Sequence, residues 1–147
     1  MTGHEFRIAI AADSDMIPAR AAARRMATEL GFTQTDATLI ATAVSEIARN
    51  IVVHVGSGEI LLRSEIGDAR RGVIVVASDR GPGIRDIEEA LNGSGSRGGL
   101  GLGIPGARRL MDEFEIRSSP TGGTIVTMKK WRVPDELERL RARRAQR

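Results

Sequence analysis

The chain has 147 residues and no cysteine, and its histidines are His4 and His54; this is the size of one ordinary domain, without a disulfide framework, thiolate zinc site, cysteine nucleophile or histidine-rich metal site. Its 22 basic and 19 acidic residues leave a formal charge of +3. With only Phe6, Phe32, Phe114 and Trp131 as aromatics, the basic, ring-bearing surface of a single-strand nucleic-acid binder is missing, and no apolar run approaches the ~18 residues of a membrane span or forms a signal-peptide core.

From the N-terminus, His4 to Ile10 alternates apolar and polar residues and reads as a strand. A helix follows from a cap at Ser14 or Asp15 to Leu30, with Gly31 as its stop. Thr33 or Thr35 caps a second helix that runs to about His54 and is closed by Gly56 and Gly58. Glu59 to Ile66 and Gly72 to Ser78 read as strands joined by a polar turn, Gly67 to Arg71. The apolar run Val73 to Ala77 predicts a strand buried on both faces.

Beyond it come Asp79-Arg80-Gly81-Pro82-Gly83, a short helix over about Asp86 to Leu91, and a loop from Asn92 to Gly101 whose one apolar residue is Leu100. A helix over about Ile104 to Asp112, a strand near Phe114 to Ser118, a turn at Thr121-Gly122-Gly123 and a last strand from Thr124 to Trp131 complete a domain expected over residues 1–132. Residues 133–147 read as a basic, solvated helical tail: five arginines from Pro134 to Arg147 stand against Asp135, Glu136 and Glu138.

Glycine carries the first functional signal. It makes up 17 of the 147 residues, and nine of those lie between Gly81 and Gly106. Such a concentration marks a place where backbone takes positive φ or closely approaches a ligand, because glycine costs stability elsewhere. Gly101, Gly103 and Gly106 form a literal G-x-G-x-x-G, but it follows a polar loop rather than a strand and no acid lies in Ser119 to Lys130, against the dinucleotide-binding pattern. No G-K-[ST] follows the glycines, against a P-loop, and the H-R-D and D-F-G signatures of eukaryotic-type kinases are absent. What remains is a set of free backbone N–H groups leading into a helix N-terminus, which suits a polyphosphate.

Two further features concentrate chemistry. Glu46 and Asn50 are four residues apart, on one face of the second helix, and that face continues through Leu39, Ala43 and Val53. A buried carboxylate there requires a partner such as a metal, a ligand or an arginine; a Glu at a helix edge beside a locally bonded Asn is the plainer reading. Asp79 ends the most apolar strand, with Gly81 and Gly83 after it. Such an acid accepts well from an exocyclic amine of adenine, and the glycines leave space for a flat base; a tight turn with Pro82 at its centre accounts for the same residues.

Taken together and in order, E-x-x-x-N on a helix, D-x-G-x-G after a strand, G-x-G before a helix and Thr124 after a glycine pair resemble the N, G1, G2 and threonine boxes of the GHKL ATPase/kinase superfamily. The resemblance covers roughly Phe6 to Arg132. It implies the Bergerat fold, α+β in two layers, with a mixed sheet packed on helices. The chain is shorter than gyrase-, chaperone- or mismatch-repair-type ATPases, and no helical pair with a phosphoacceptor histidine stands upstream. It is most similar to the bacterial anti-sigma-factor serine kinases. Ser45-Glu46-Ile47-Ala48-Arg49-Asn50 and Gly103-Ile104-Pro105-Gly106-Ala107-Arg108-Arg109-Leu110-Met111-Asp112-Glu113-Phe114 resemble the RsbT-type switch kinases of the stressosome pathway.

The resemblance implies ATP and Mg2+ as cofactors, with Asn50 as the metal ligand and Glu46 as the general base for an acceptor serine. It assigns adenine to Asp79 and Thr124, with Gly81 and Gly83 admitting the base, and the phosphates to Gly99, Leu100, Gly101, Leu102 and Gly103. Arg49 and Arg97 are candidates for a phosphate or partner contact. The implied partners are a STAS-domain antagonist protein, phosphorylated on serine, and a PP2C-type phosphatase activated by the released kinase in a stress-response sigma-factor pathway. The alternative is an anti-sigma factor, a non-catalytic nucleotide-dependent binding module. No nucleic acid or membrane is expected as partner, and the cytoplasm is the expected location.

Overall fold

The computed structural model describes residues 2–84, 103–132 and 136–145. The predicted short helix over Asp86 to Leu91, the loop from Asn92 with Arg97, and Gly99, Leu100, Gly101 and Leu102 lie outside the described residues.

Strand β1 (Thr2–Ile10) leads through a 3-10 turn at Asp13–Asp15 into α1 (Met16–Glu29). Asp15 does not cap that helix with its side chain; its carboxylate turns back to accept from the N–H groups of Ala11 and Ala12, at 2.8 and 2.9 Å. The stop at Gly31 is as expected. Gly31 has φ +90°, its N–H donates to the Thr28 carbonyl, and Phe32 N–H donates to that of Ala27, the paired bonds of a Schellman ending. Helix α2 (Gln34–His54) is capped by Thr33 rather than Thr35: the Thr33 hydroxyl accepts from Asp36 N–H at 3.1 Å.

Strands β2 (Gly58–Ile66) and β3 (Arg71–Asp79) form a hairpin. Helix α3 (Gly103–Leu110) is followed by β4 (Glu113–Ser119) and β5 (Gly123–Arg132), and α4 (Glu136–Ala145) occupies the tail. The strands form one sheet in the order β1-β2-β3-β5-β4.

The architecture is α+β in two layers, but every described pairing is antiparallel, where a mixed sheet was expected. The connections explain this. Two helices between β1 and β2 return the chain to the end it left, so β2 runs back along β1. The connection from β3 to β4 sets these strands in the same direction, but β5 inserts between them and pairs antiparallel with both.

The core lies between one sheet face and the helices. Ile10, Ile60, Leu62, Val73, Val75, Ala77, Val126 and Met128 meet Ala23, Met26, Ile40, Val44, Ile47, Ile51 and Ile104. Burying such aliphatic side chains contributes roughly 1.5–3 kcal/mol each. The burial of β3 on both faces expected from its apolar run is met by Val73, Val75 and Ala77 on the core face and by Ile74 on the other. Ile74 is flanked in register by Arg63 and Lys129, whose long stems suit an apolar neighbour; Val76, on the same face, is half-buried. At the edge of that face Trp131 lies over Gly72, where any Cβ would overlap the indole, and the Arg70 guanidinium stacks 3.7 Å from the ring centre. Among the described residues no helix is long and apolar enough to cross a membrane.

Candidate nucleotide and phosphoryl-transfer site

The site begins with a row of four residues across the sheet end. Asp79, the last residue of β3, is the register partner of Thr124 on β5, and Thr124 is the partner of Ser118 on β4. On the other side stands Gly58 of β2, where a Cβ would lie 3.3 Å from that of Asp79 and 2.9 Å from Ile51 Cγ2. Alternation along the strands turns these positions toward the helices, because Ala77, Val126 and Ile116, two residues away on the same faces, pack in or against the core. In sequence Gly58 reads only as a helix stop; its place opposite an acid appears once β2 and β3 are paired.

The loop after Asp79 is held by its own side chain. Asp79 Oδ1 accepts from Gly81 N–H at 2.9 Å, and Ile84 N–H donates to Ser118 Oγ at 2.6 Å. Both glycines have a local reason. A Cβ at Gly81 would stand 2.7 Å from Val55 Cγ2, and Gly83 has φ +81° with a Cβ position 2.6 Å from the Ser119 carbonyl oxygen, so a side chain at either would collide with the protein itself. Thr124 is 6% exposed, and its hydroxyl lies 3.0 Å from that of Ser118. In sequence Ser118 carries no distinguishing signal, being one of a Ser-Ser pair before a turn.

The second group is on α2. Its core stripe is Ile40, Ala43, Val44, Ile47 and Ile51, all buried, while Glu46 and Asn50 are half-buried and Val53 is 61% exposed. The predicted apolar face through Val53 is thus not continuous, because positions Leu39 to Val53 drift around a helix of 3.6 residues per turn. Glu46 sits at the seam where α3 packs on α2. Its partner is none of those expected of a buried carboxylate: Gly103 N–H donates to Glu46 Oε2 at 2.9 Å. Gly103, with φ +40°, opens α3, so the carboxylate satisfies one of the N–H groups a helix start leaves without a partner and meets the positive end of its dipole. Arg49, next to these residues in sequence, is exposed.

The structure therefore joins Glu46 to Gly103 and Asp79 to Thr124. The first pair sets a carboxylate on a helix start, and the second sets an acid beside a buried hydroxyl at one end of the sheet. The described residues contain no cluster of three His, Asp or Glu able to hold a metal. The Asn50 amide oxygen beside Glu46 fits a hard divalent cation that takes most of its ligands from phosphates and water.

A family model for the histidine kinase-like ATPase domain matches residues 10–130. The chain belongs to this family. It is 41% identical over 125 residues to the serine/threonine-protein kinase RsbT of Bacillus subtilis (strain 168), covering 84% of this chain and 94% of that protein. It is 33% identical over 122 residues to the anti-sigma F factor of Caldanaerobacter subterraneus subsp. tengcongensis, covering 77% and 82%. The anti-sigma F factor of Pasteuria penetrans is also 33% identical over 122 residues, covering 76% and 79%. The GHKL-type resemblance and the histidine-kinase-like ATPase fold expected from the boxes agree with these matches, and the enzyme class they support is an ATP-dependent kinase.

Proposed function

We propose that the chain is a cytoplasmic serine/threonine protein kinase that transfers the γ-phosphate of Mg2+-ATP to a serine of a STAS-domain antagonist protein. Once released, it activates a PP2C-type phosphatase in a stress-response sigma-factor pathway. The observation that carries this reading is the position of Glu46: a carboxylate half-buried on α2, one helical turn before Asn50 and bonded to the first residue of α3. A module that only bound nucleotide would need no base beside a metal ligand.

In this reading Asp79 accepts from the adenine amine, Thr124 supports that contact, and Gly81 and Gly83 keep the loop close. The backbone of Gly99, Leu100, Gly101 and Leu102 donates to the phosphates, while Gly103, assigned to them in sequence, gives its N–H to Glu46 instead. The Asn50 amide oxygen would hold Mg2+, which supplies charge neutralisation on the phosphate oxygens. Glu46 takes the serine hydroxyl proton as the serine oxygen bonds to the γ-phosphorus and the bond from that phosphorus to the bridging oxygen breaks, leaving ADP. Catalysis is then chiefly positioning and electrostatics. A phosphoserine dianion left beside Glu46 is repelled, which favours exchange of partners.

The test incubates the chain with γ-labelled ATP, Mg2+ and a STAS-domain protein. Label on one acceptor serine, lost when that serine becomes alanine, is the expected result. Tight nucleotide-dependent binding of a sigma factor without transfer would favour the alternative, an anti-sigma binding module, which the identity to anti-sigma F factors supports.

A further inference from the structure

We propose that the chain forms a homodimer in which β1 of one copy pairs antiparallel with β1 of a second, centred on Phe6, so that one sheet runs through both. β1 stands at an end of the strand order and, among the described strands, pairs only with β2. A strand edge carries N–H and C=O groups open to a further strand, and single-chain proteins usually block it with proline, lysine, a bulge or a covering element. The sequence of β1 has neither proline nor lysine. Its register irregularity lies between Thr2 and Glu5, which leaves Glu5 to Ile10 regular.

Phe6 gives this edge an apolar side chain to cover. Paired in register with Leu62, it lies on the helix-facing side of the sheet with Ile8 and Ile10, as strand alternation requires. It is nevertheless 47% exposed, whereas Ile10 is fully buried and Ile8 packs against the core. On the other face Glu5 and Arg7 are exposed, and the Arg7 guanidinium lies 2.6 Å from Glu59 and 3.6 Å from Glu5.

Charge selects the register. Peptide groups must point at one another across an antiparallel pair, so a strand that pairs with its own copy does so about a central residue. Centred on Glu5 or Arg7, the pairing sets like charges directly opposite, which is destabilising. Centred on His4 or Ile8, it sets Glu5 against Gly3 or Arg7 against Ala9 and gains no ion pair. Centred on Phe6, it sets Glu5 opposite Arg7 of the second copy and Arg7 opposite its Glu5 on one face, while the Phe6 rings meet on the other. Charges that oppose an arbitrary strand thus complement their own copy, and the contact is isologous and closes as a dimer. β4, at the other end of the order, repeats the pattern as Glu115-Ile116-Arg117. Its Phe114 and Ile116 already pack against the core, so pairing there would remove little apolar surface from water.

Analytical ultracentrifugation of the full chain tests this. One strand pair is a small interface, so a reversible monomer–dimer equilibrium is expected between micromolar and millimolar concentrations. Glu5→Arg and Arg7→Glu should each weaken self-association roughly tenfold, because each sets like charges face to face twice. An equimolar mixture of the two variants should recover the dimer, since the basic edge of one then meets the acidic edge of the other. Phe6→Gln, which changes no charge, should also weaken association and serves where a charge variant does not fold. Glu115→Arg, on β4, should associate as the parent does. A parent that stays monomeric throughout, or charge or Phe6 variants that dimerise like the parent, overturns the pairing. So does a mixture no more associated than its components, or loss of the dimer in Glu115→Arg.

Discussion

Glu46 on α2 accepts a hydrogen bond from the backbone N–H of Gly103, 57 positions later in the chain, at 2.9 Å. One carboxylate oxygen thus holds the start of α3 in place, while the other has no protein donor among the described hydrogen bonds. The position and the chemistry of this side chain separate experimentally. Glu46→Gln keeps an oxygen that can accept from Gly103 but no longer takes a proton, so single-turnover transfer to the protein acceptor should slow by roughly 10²–10⁴-fold with ATP affinity near that of the parent. Glu46→Ala should show the same loss of rate and also lower unfolding free energy by about 1 kcal/mol, read by urea denaturation.

Asn50 lies one helical turn beyond Glu46 and is half-buried. If its amide oxygen holds the cation, Asn50→Ala should make nucleotide affinity nearly independent of magnesium concentration, whereas the parent's affinity should fall as magnesium is chelated. Calorimetric titration with and without the metal reads the difference. Equal magnesium dependence in both proteins would remove Asn50 from the metal site.

Asp79→Asn preserves an oxygen for Gly81 N–H but can place an NH₂ group where the adenine amine must donate. ATP affinity should fall roughly 10²-fold, because a buried polar site with a mismatched donor loses both the bond and its compensation. The melting temperature should stay close to that of the parent. Similar losses for ATP and GTP would show that Asp79 does not select the base.

Two glycines at positive φ should respond differently to alanine. Gly56, φ +102°, has open space around its Cβ position, so Gly56→Ala should cost about 1 kcal/mol of backbone strain. At Gly123, φ +78°, a Cβ would overlap the Asp79 carbonyl oxygen and stand 2.8 Å from Arg80 Cα. Gly123→Ala should therefore destabilise by roughly 3 kcal/mol or more and weaken ATP binding as the Asp79–Thr124 pairing shifts. Chemical denaturation of the two variants gives the comparison.

The sequence by itself determined the order and kind of the described elements, because the signals for them are local. Alternation marks β1, the Thr33 hydroxyl and Gly31 bound the helices with their own backbone chemistry, and the apolar run of β3 and the glycine turn before β5 are contiguous. It also determined that Glu46, Asn50, Asp79 and Thr124 carry polar chemistry in a pattern shared with one superfamily, since those boxes are short segments read without knowledge of their neighbours. Only the tertiary structure decided what those residues face. Strand direction depends on how α1, α2 and β5 close the sheet, so an expected mixed sheet is antiparallel in every described pairing. The partner of Glu46 is a backbone N–H from a distant helix start, which no side-chain pattern encodes. Gly58 and Ser118 join the row with Asp79 and Thr124 only through strand register, in which residues far apart in the chain become neighbours and a single position's shift would turn each to the opposite face.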